Sequence, residues 1–212
     1  MVFQYGDTED SYLMGKDKRM AEVIPVIGHV ERTVDSDLFS SVVHHIIGQQ
    51  ISTKAQQTIW DRMQNSFGEV SPKSIGDASV EELQSMGMTF RKAEYIKDFS
   101  RKVLCGEFNL KAVETMSDTD AIAALSSLKG IGVWTAEMIL LFCLQRPDIF
   151  SYDDLTIQRG LRMLYHHREI SRPLFERYRS RFSPYGSVAS LYLWAVAGGA
   201  IPGMKDYKTI KK

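Results

Sequence analysis

Hydrophobic side chains recur every three to four residues along most of this chain, with polar residues between them. That period gives an α-helix one apolar face. The alternation of period two that is typical of half-buried strands is absent. The pattern therefore predicts an all-α fold with helices over residues 10–28, 37–47, 52–66, 79–86, 89–105, 118–127, 133–144, 155–166, 171–182 and 186–198.

A glycine-containing segment joins two of these predicted helices. Its sequence is Leu128-Lys129-Gly130-Ile131-Gly132-Val133-Trp134-Thr135-Ala136. Glycine tolerates a positive φ and has no Cβ, so we expect both glycines to form a tight turn that a phosphate can approach. The N–H groups that open the next helix can then point at an anion. The alternative for such a pair of glycines is a plain turn between two packed helices.

Two adjacent carboxylates, Asp153 and Asp154, precede the helix predicted over 155–166. A helix N-terminus stabilises an ionised carboxylate through its dipole and its N–H groups. Asp154 can therefore supply a fixed negative charge. The structural alternatives are that Asp154 is the N-cap of this helix, or the end of a capping box that begins at Ser151. We expect Asp153 to be structural.

Four segments, in order along the chain, resemble one family of DNA-repair enzymes. Residues 128–136 resemble the helix-hairpin-helix of the endonuclease III superfamily of DNA glycosylases, with Lys129 in place of the usual proline. Residues 154–159 fit the D-x-x-[IV]-x-R pattern in which that family carries its catalytic aspartate, here Asp154. Residues 39–52 and 182–187 resemble the alkylation-repair branch, in particular the 3-methyladenine DNA glycosylase II group in a compact form.

The resemblance implies an architecture of two helical lobes with a cleft between them. Residues 36–140 would form a six-helix lobe that includes the hairpin. Residues 1–35 and 141–212 would form the second lobe. Asp154 would lie on the wall of the cleft.

The resemblance also implies a reaction. Hydrolysis of an N-glycosidic bond passes through an oxocarbenium-like sugar, which one ionised carboxylate, here Asp154, can stabilise while it orients or deprotonates water. Family members that also cut the strand carry a lysine where this chain has Trp134, because an amine must attack the sugar to form a Schiff base. We therefore expect a monofunctional glycosylase, without lyase activity, that removes alkylated purines such as 3-methyladenine or 7-methylguanine from double-stranded DNA.

The expected base pocket is lined by Trp134, Tyr185, His44 and Leu155. Aromatic faces would stack on a flipped purine and favour one made cationic by alkylation. The alternative for Trp134 is a place in the core. A structural role is the alternative for His44 and for its neighbour His45.

DNA contacts are expected from the hairpin and from the loop that follows the first matching segment. Gln50 stands where the family places the side chain that fills the gap left by the flipped base, a position that is apolar in many relatives. Gln49 is expected to be structural. The expected DNA-binding residues are Gln50, Ile51, Gly130, Gly132, Val133, Trp134 and Thr135.

The charges balance, with 26 Lys and Arg against 26 Asp and Glu, whereas DNA-binding domains are often basic. Their distribution is uneven, because residues 1–40 contain eight acidic and four basic residues and residues 146–181 contain eight basic and five acidic residues. A protein that holds few phosphates, largely through main-chain amides, needs little net charge.

The two cysteines, Cys105 and Cys143, are far apart in apolar stretches, so we expect reduced core thiols in a cytoplasmic protein, nucleoid-associated if bacterial. The four-cysteine cluster that binds iron and sulfur in many superfamily members is absent, and no cofactor is expected to be required for catalysis. The resemblance implies a structural Na⁺ or K⁺ ion held at the hairpin by main-chain oxygens of Ser126, Leu128 and Ile131. No stretch predicts a membrane span, and we expect a monomer.

Two alternative functions stay open at this point. One is a helix-hairpin-helix module that binds DNA without catalysis, which would have no need of Asp154. The other is a glycosylase for uracil or mismatched bases, whose pocket would present specific polar groups rather than aromatic walls.

Overall fold

The computed structural model describes residues 1–35 and 37–208. Within those residues it contains thirteen α-helices and no β-strand, and one isolated bridge pairs Val2 with Thr33. The all-α prediction is confirmed. Residue 36, the predicted start of the first lobe, and residues 209–212 lie outside the described residues. The helices are α1 (Asp7–Lys16), α2 (Lys18–Ile27), α3 (Leu38–Gly48), α4 (Thr53–Phe67), α5 (Pro72–Asp77), α6 (Val80–Ser85), α7 (Phe90–Leu104), α8 (Leu110–Thr115), α9 (Asp118–Ser126), α10 (Val133–Phe142), α11 (Leu155–Tyr165), α12 (Arg172–Phe182) and α13 (Gly186–Ala197).

The helix predicted over residues 10–28 is two helices, and that prediction is wrong. Asp17 adopts an extended backbone with φ −143° and ψ 119°, which ends α1. Its carboxylate accepts hydrogen bonds from the N–H groups of Arg19 and Met20 and so caps α2. Asp17 is also buried, and its Oδ2 accepts a hydrogen bond from Nη1 of Arg181 at 2.5 Å. The break is therefore a buried capping site.

Two short helices were not predicted. Each has six residues, α5 after the cap Ser71 and α8 after the cap Asn109. Helices of fewer than two turns contain too few residues to establish a helical period.

One compact unit of the fold consists of Met1 and Val34–Leu144 and contains α3 to α10. Its core is built around α10, in which the side chains from Met138 to Leu141 are buried. The rings of Phe39 on α3 and Phe99 on α7 stack with centroids 4.9 Å apart. Helix α10 also packs against α9, to which the hairpin joins it.

A second unit consists of Val2–Thr33 and the chain from Gln145 onward, and it contains α1, α2 and α11 to α13. Helix α11 packs against α13. Gly160 allows this approach, because a Cβ there would collide with the carbonyl oxygen of Leu193. The pairing fixes α11, whose first residue follows Asp154.

Both cysteines are free thiols. Cys105 is exposed at the end of α7, so its expected place in the core is wrong. Cys143 is half-buried, and burial raises the pKa of its thiol to about 12. Among the described residues, no helix combines the length and hydrophobicity that crossing a membrane requires.

Candidate functional site

The hairpin between α9 and α10 requires a glycine at position 130. Gly130 has a φ of +85°, a value that L side chains rarely adopt. A Cβ at this position would lie 2.5 Å from Cδ2 of Tyr95, so the ring of Tyr95 packs directly on the hairpin backbone. Leu128 and Ile131 anchor the turn in the core, and the Ile131 N–H donates to the Leu128 carbonyl at 3.1 Å.

Gly132 serves the hairpin differently. Its φ is −92°, a value open to any residue, so of the two hairpin glycines only Gly130 uses the positive φ that glycine tolerates. It is the N-cap of α10 and has no side chain to cap the first turn. A Cβ would meet no atom within 4 Å. The absence of a side chain here keeps the start of the helix open to an approaching anion.

The first turn of α10 presents two large side chains to solvent. Val133 is 49% exposed and Trp134 is 43% exposed. The alternative of a core tryptophan is therefore wrong. Thr135 is buried, so its side chain does not reach the surface and any DNA contact at this residue would use the main chain.

The loop after α3 lies against the hairpin. Nε2 of Gln49 donates to the carbonyl oxygen of Gly130 at 2.6 Å, which gives Gln49 the structural role expected for it. Lys92 on α7 donates to the carbonyls of Ile47 at 2.8 Å and Gln49 at 2.6 Å. Gln50 directly follows these hydrogen-bonded residues, is exposed and has a φ of +57°. The structure thus brings the predicted wedge loop and the hairpin together.

Sequence reasoning missed the residues on α7 that hold this loop and line the surface beside it. Lys92 and Tyr95 lie more than thirty residues from both segments that they contact. Two residues spaced three apart on one helix occur on many protein surfaces, so this spacing does not mark Lys92 and Tyr95 as functional. Only the fold shows which backbone they meet.

His44 lies in the same unit, against Trp60 and Asp35. Its ring centroid is 4.9 Å from that of Trp60, and its Nδ1 is 3.9 Å from the Asp35 carboxylate. Burial lowers the pKa of the His44 imidazole, and Asp35 opposes this shift only in part. Burial also lowers the pKa of His45, whose Nδ1 contacts the Ser41 carbonyl oxygen at 2.9 Å. Both rings are therefore favoured in the neutral form.

Asp154 belongs to the second unit and is the N-cap of α11. Its Oδ1 accepts hydrogen bonds from the N–H groups of Thr156 at 2.8 Å and Ile157 at 2.9 Å. The residue is buried. A capping box that starts at Ser151 is therefore wrong, whereas the capping role of Asp154 itself is confirmed. Its neighbour Asp153 is exposed.

The segment that leads to Asp154 is braced from both sides. Nε2 of Gln158 donates to the Tyr152 carbonyl at 2.7 Å. The carboxylate of Asp148 accepts from Oγ of Ser183 at 2.6 Å and from the N–H of Gly186 at 3.0 Å. Asp148 was not singled out in the sequence, because an aspartate in a loop is common and its partners are over thirty residues away.

The two remaining pocket candidates also lie in this unit. Tyr185 is half-buried directly before α13, and its ring meets that of Tyr12 edge to face with centroids 5.1 Å apart. Leu155 is 76% exposed at the first position of α11. Asp154, Leu155 and Tyr185 thus share one unit, and His44 and Trp134 share the other. Their assembly into one base pocket stays a prediction.

The three residues predicted to hold a cation lie at the hairpin turn. Oγ of Ser126 is buried and, within the described residues, has no hydrogen-bond partner. Leu128 and Ile131, which follow Ser126 closely in the sequence, are also buried. The described part of the chain contains no group of three or more His, Cys, Asp or Glu side chains that could hold a metal ion.

Comparison with protein families gives a match over most of the chain. The model of the HhH-GPD superfamily base excision DNA repair protein matches residues 43–184. The putative DNA-3-methyladenine glycosylase YfjP of Bacillus subtilis is 30% identical over 172 residues, which are 76% of this chain and 59% of that protein. DNA-3-methyladenine glycosylase 1 of Schizosaccharomyces pombe is 28% identical over 191 residues, 86% of this chain and 84% of that protein.

Solved structures agree with this match. The crystal structure of a DNA-3-methyladenine glycosidase from Bacillus halodurans superimposes with a TM-score of 0.83 at 33% identity and covers 93% of each chain. The S. pombe 3-methyladenine DNA glycosylase Mag1, solved in complex with abasic DNA, gives a TM-score of 0.79 at 24% identity and covers 96% of this chain and all of its own. At 24% identity, the similarity to Mag1 shows a shared fold and nothing further.

Proposed function

Because this chain belongs to the HhH-GPD superfamily of base excision DNA repair proteins, we propose that it hydrolyses the N-glycosidic bond of alkylated purines in double-stranded DNA and leaves an abasic site. The relatives that bear the name DNA-3-methyladenine glycosylase support this substrate class. The observation that carries the proposal is a buried carboxylate, Asp154, held by two N–H groups at the start of α11.

The chemistry that this carboxylate supports is hydrolysis. The bond between C1′ of the sugar and the purine nitrogen breaks, and its electron pair leaves with the base. An alkylated purine that is already cationic becomes neutral as it leaves, so it needs no proton from an acid. Asp154 stabilises the cationic sugar, water oxygen bonds to C1′, and the proton lost from water passes to Asp154 or to solvent.

The capping contacts prepare Asp154 for this task. Two hydrogen bonds to one oxygen fix the side chain, so no rotamer entropy has to be lost when the transition state forms. Both donors also stabilise negative charge on the carboxylate. Capping and catalysis are therefore compatible roles for this residue.

The second half of the proposal is that the strand is not cut. Trp134 occupies the hairpin position at which a lysine would be needed for lyase chemistry, and indole is not a nucleophile for this reaction. With 43% of its surface exposed, Trp134 is accessible to a flipped base. Removal of the base is then the whole reaction.

The test is release of free base from methylated duplex DNA, measured by chromatography. We expect the wild type to release 3-methyladenine and Asp154→Asn to release it at least a thousandfold more slowly, an estimate of about 4 kcal/mol in transition-state stabilisation. Asparagine is an equally good N-cap, so the variant should fold and bind DNA. Asp153→Asn, which removes the same charge from the exposed neighbour, should keep wild-type activity.

Equal release by wild type and Asp154→Asn would contradict the assignment of Asp154. If neither protein released base although both bound DNA, the chain would be a binding module without this activity.

We further propose that Na⁺ or K⁺ binds at the hairpin through main-chain oxygens of Ser126, Leu128 and Ile131. The match of the hairpin sequence to the family supports this. The Oγ of Ser126, which is buried and has no hydrogen-bond partner among the described residues, is a further oxygen at the same turn that needs a partner. The ion would stiffen the turn and add positive charge near a phosphate. At constant ionic strength, replacement of Na⁺ and K⁺ by tetramethylammonium should weaken DNA binding, and unchanged affinity would contradict the proposal.

A further inference from the structure

A pocket of about 620 Å³ opens in the first unit between the predicted wedge loop and the hairpin. Gln50 and Ile51 line it from the loop, Gly130 from the hairpin, and Arg91, Lys92 and Tyr95 from α7. The pocket is therefore flanked by two expected DNA-contacting segments and closed by a third element.

The charge of this pocket has one sign. Two of the described residues that line it are cationic and none is acidic. The ammonium group of Lys92 is engaged by the carbonyls of Ile47 and Gln49. The positive charge available to a ligand is thus the exposed guanidinium of Arg91.

Arg91 is held in place although it is exposed. Its Nε donates to the hydroxyl of Tyr95 at 2.5 Å, and its guanidinium carbon lies 5.5 Å from the centroid of that ring. Within the described residues, its terminal nitrogens have no hydrogen-bond partner. A guanidinium fixed in this way can offer two parallel N–H donors to an anion at a small entropic cost.

Tyr95 connects Arg91 to the hairpin. Its ring packs against the backbone at Gly130, where no Cβ would fit. The position of the guanidinium is therefore set by the same glycine that shapes the turn. Gln49, which bonds to the carbonyl of Gly130, ties the wedge loop to this arrangement.

We propose that this pocket binds a backbone phosphate of DNA and that Arg91 is the cation that holds it. Phosphate is the anion that duplex DNA presents at every nucleotide, and arginine binds it in a bidentate geometry. The contact positions the DNA beside Gln50 without reading its sequence. This inference rests on the proposed function, since it assumes that DNA is the ligand.

The balanced charge of the chain makes the contact measurable. With 26 basic and 26 acidic residues, the protein has no general excess of positive charge that would hide the loss of one phosphate contact. Each phosphate that a protein neutralises adds about 0.9 to the slope of log K against log salt concentration. The loss of one phosphate contact should therefore be measurable as a change in this slope.

The experiment measures the affinity of the full chain for undamaged duplex DNA, and for the same duplex with a tetrahydrofuran abasic analogue, at several salt concentrations. Arg91→Ala should weaken binding to both duplexes and lower the slope by about 0.9, so that its deficit shrinks about 3.5-fold between 50 and 200 mM salt. Arg91→Lys should keep the slope. Lys73→Ala, which removes an exposed charge from α5 outside the pocket, is the matched control and should leave both affinity and slope unchanged.

Tyr95→Phe tests the positioning of Arg91. It keeps the ring on Gly130 and removes the hydroxyl that holds Nε, so we expect weaker binding with the salt slope retained.

Three outcomes would overturn the phosphate site while the proposed function stands. The first is that the wild type releases base but Arg91→Ala shows the same slope of log K against log salt concentration as the wild type. The second is an effect that depends on the base at one position with the slope unchanged, which would indicate a contact to a base. The third is an equal loss of slope in Lys73→Ala, which would indicate nonspecific charge. Failure of the wild type to release methylated base is a different result and would count against the proposed function.

Discussion

Asp154 caps a helix, and the proposed reaction uses the same carboxylate. Its Oδ1 caps α11 through the N–H groups of Thr156 and Ile157, and its burial limits exchange with bulk water. The sequence presented capping and catalysis as alternatives for this residue. In the structure the first is realised, and its two hydrogen bonds fix the carboxylate in the way that the proposed catalytic role requires.

The two hairpin glycines allow a residue-scale prediction, because they are required for different reasons. Gly130→Ala forces an L residue to φ +85° and places a methyl group against Tyr95, so we expect a loss of about 2 kcal/mol and a Tm lower by roughly 4–8 °C. Gly132→Ala meets no atom within 4 Å at a permitted φ, so its Tm should stay close to that of the wild type.

DNA affinity is a second measurement that should distinguish Gly132→Ala from Gly130→Ala. The new methyl group of Gly132→Ala lies at the open start of α10, and we expect weaker DNA binding by a fully folded protein. Thermal unfolding and a binding titration check both variants. Comparable losses of Tm in the two variants would contradict the structural difference described here.

Trp134 and Thr135 illustrate what sequence could not decide at the scale of single residues. Both follow Gly132 in a segment of mostly apolar character, yet Trp134 is 43% exposed and Thr135 is buried. Periodicity places a residue on a face of a helix, but which face is covered depends on the elements that pack there. The exposure of each residue therefore required the fold.

At the scale of elements, α3 contains two histidines with lowered pKa values. Burial is the main cause for both His44 and His45, and the charged group that faces them is Asp35, 3.9 Å from each ring. Since the pKa in the folded state lies below the unfolded value of about 6.5, the unfolded chain binds more protons as the pH falls. Their contribution to stability is present above pH 6.5 and is lost as the pH falls through the folded-state pKa.

The expected result is a wild-type denaturation midpoint that falls between pH 7.5 and pH 5.5. A double variant with glutamine at positions 44 and 45 should lose less stability over the same interval. Urea unfolding at the two pH values measures this. An equally steep fall in both proteins would show that other groups control the acid sensitivity.

Helix α7 offers a matched pair of lysines for the second prediction at this scale. Lys92 donates to two carbonyls below the wedge loop, and Lys97 donates to the carbonyls of Ile75, Gly76 and Ala78 at the end of α5. Each substitution to methionine should cost about 1–3 kcal/mol, because buried carbonyls lose their donor.

Only Lys92→Met should also impair function, since only this lysine holds the loop that carries Gln50. We expect its base release to fall about tenfold beyond any effect of Lys97→Met, measured at a temperature where both variants are folded. Equal activities in the two variants would show that the loop is positioned by other contacts.

The elements themselves were largely predictable. Helices of nine or more residues, such as α4, α7 and α11, contain enough turns for an apolar face to be evident. The break at Asp17 was not predicted, although Gly15 and the charged residues 16–19 surround it. Nothing in the local pattern shows that the Asp17 carboxylate is buried and caps α2. The contacts of Lys92, Tyr95 and Asp148 join residues that are distant in sequence, and local patterns carry no information about such partners.

At the scale of the whole molecule, the balanced charge constrains how DNA can be held. A protein with no net charge is not drawn to the polyanion by its overall charge, so affinity must come from locally placed charges and contacts. The hairpin amides, the guanidinium of Arg91 and the proposed cation would supply them in one unit. The carboxylate of Asp154 belongs to the other unit, where it caps the N-terminus of α11.

We propose that this protein removes a base and leaves the strand intact. The most direct measurement uses an end-labelled duplex with one alkylated purine, analysed on a denaturing gel with and without treatment by hot alkali. The wild type should give an uncut strand before alkali and a single cut at the lesion after it, and Asp154→Asn should give neither. Strand breaks without alkali would show that the protein is also a lyase, and alkali-labile sites formed equally by both proteins would show that Asp154 is not the catalytic carboxylate.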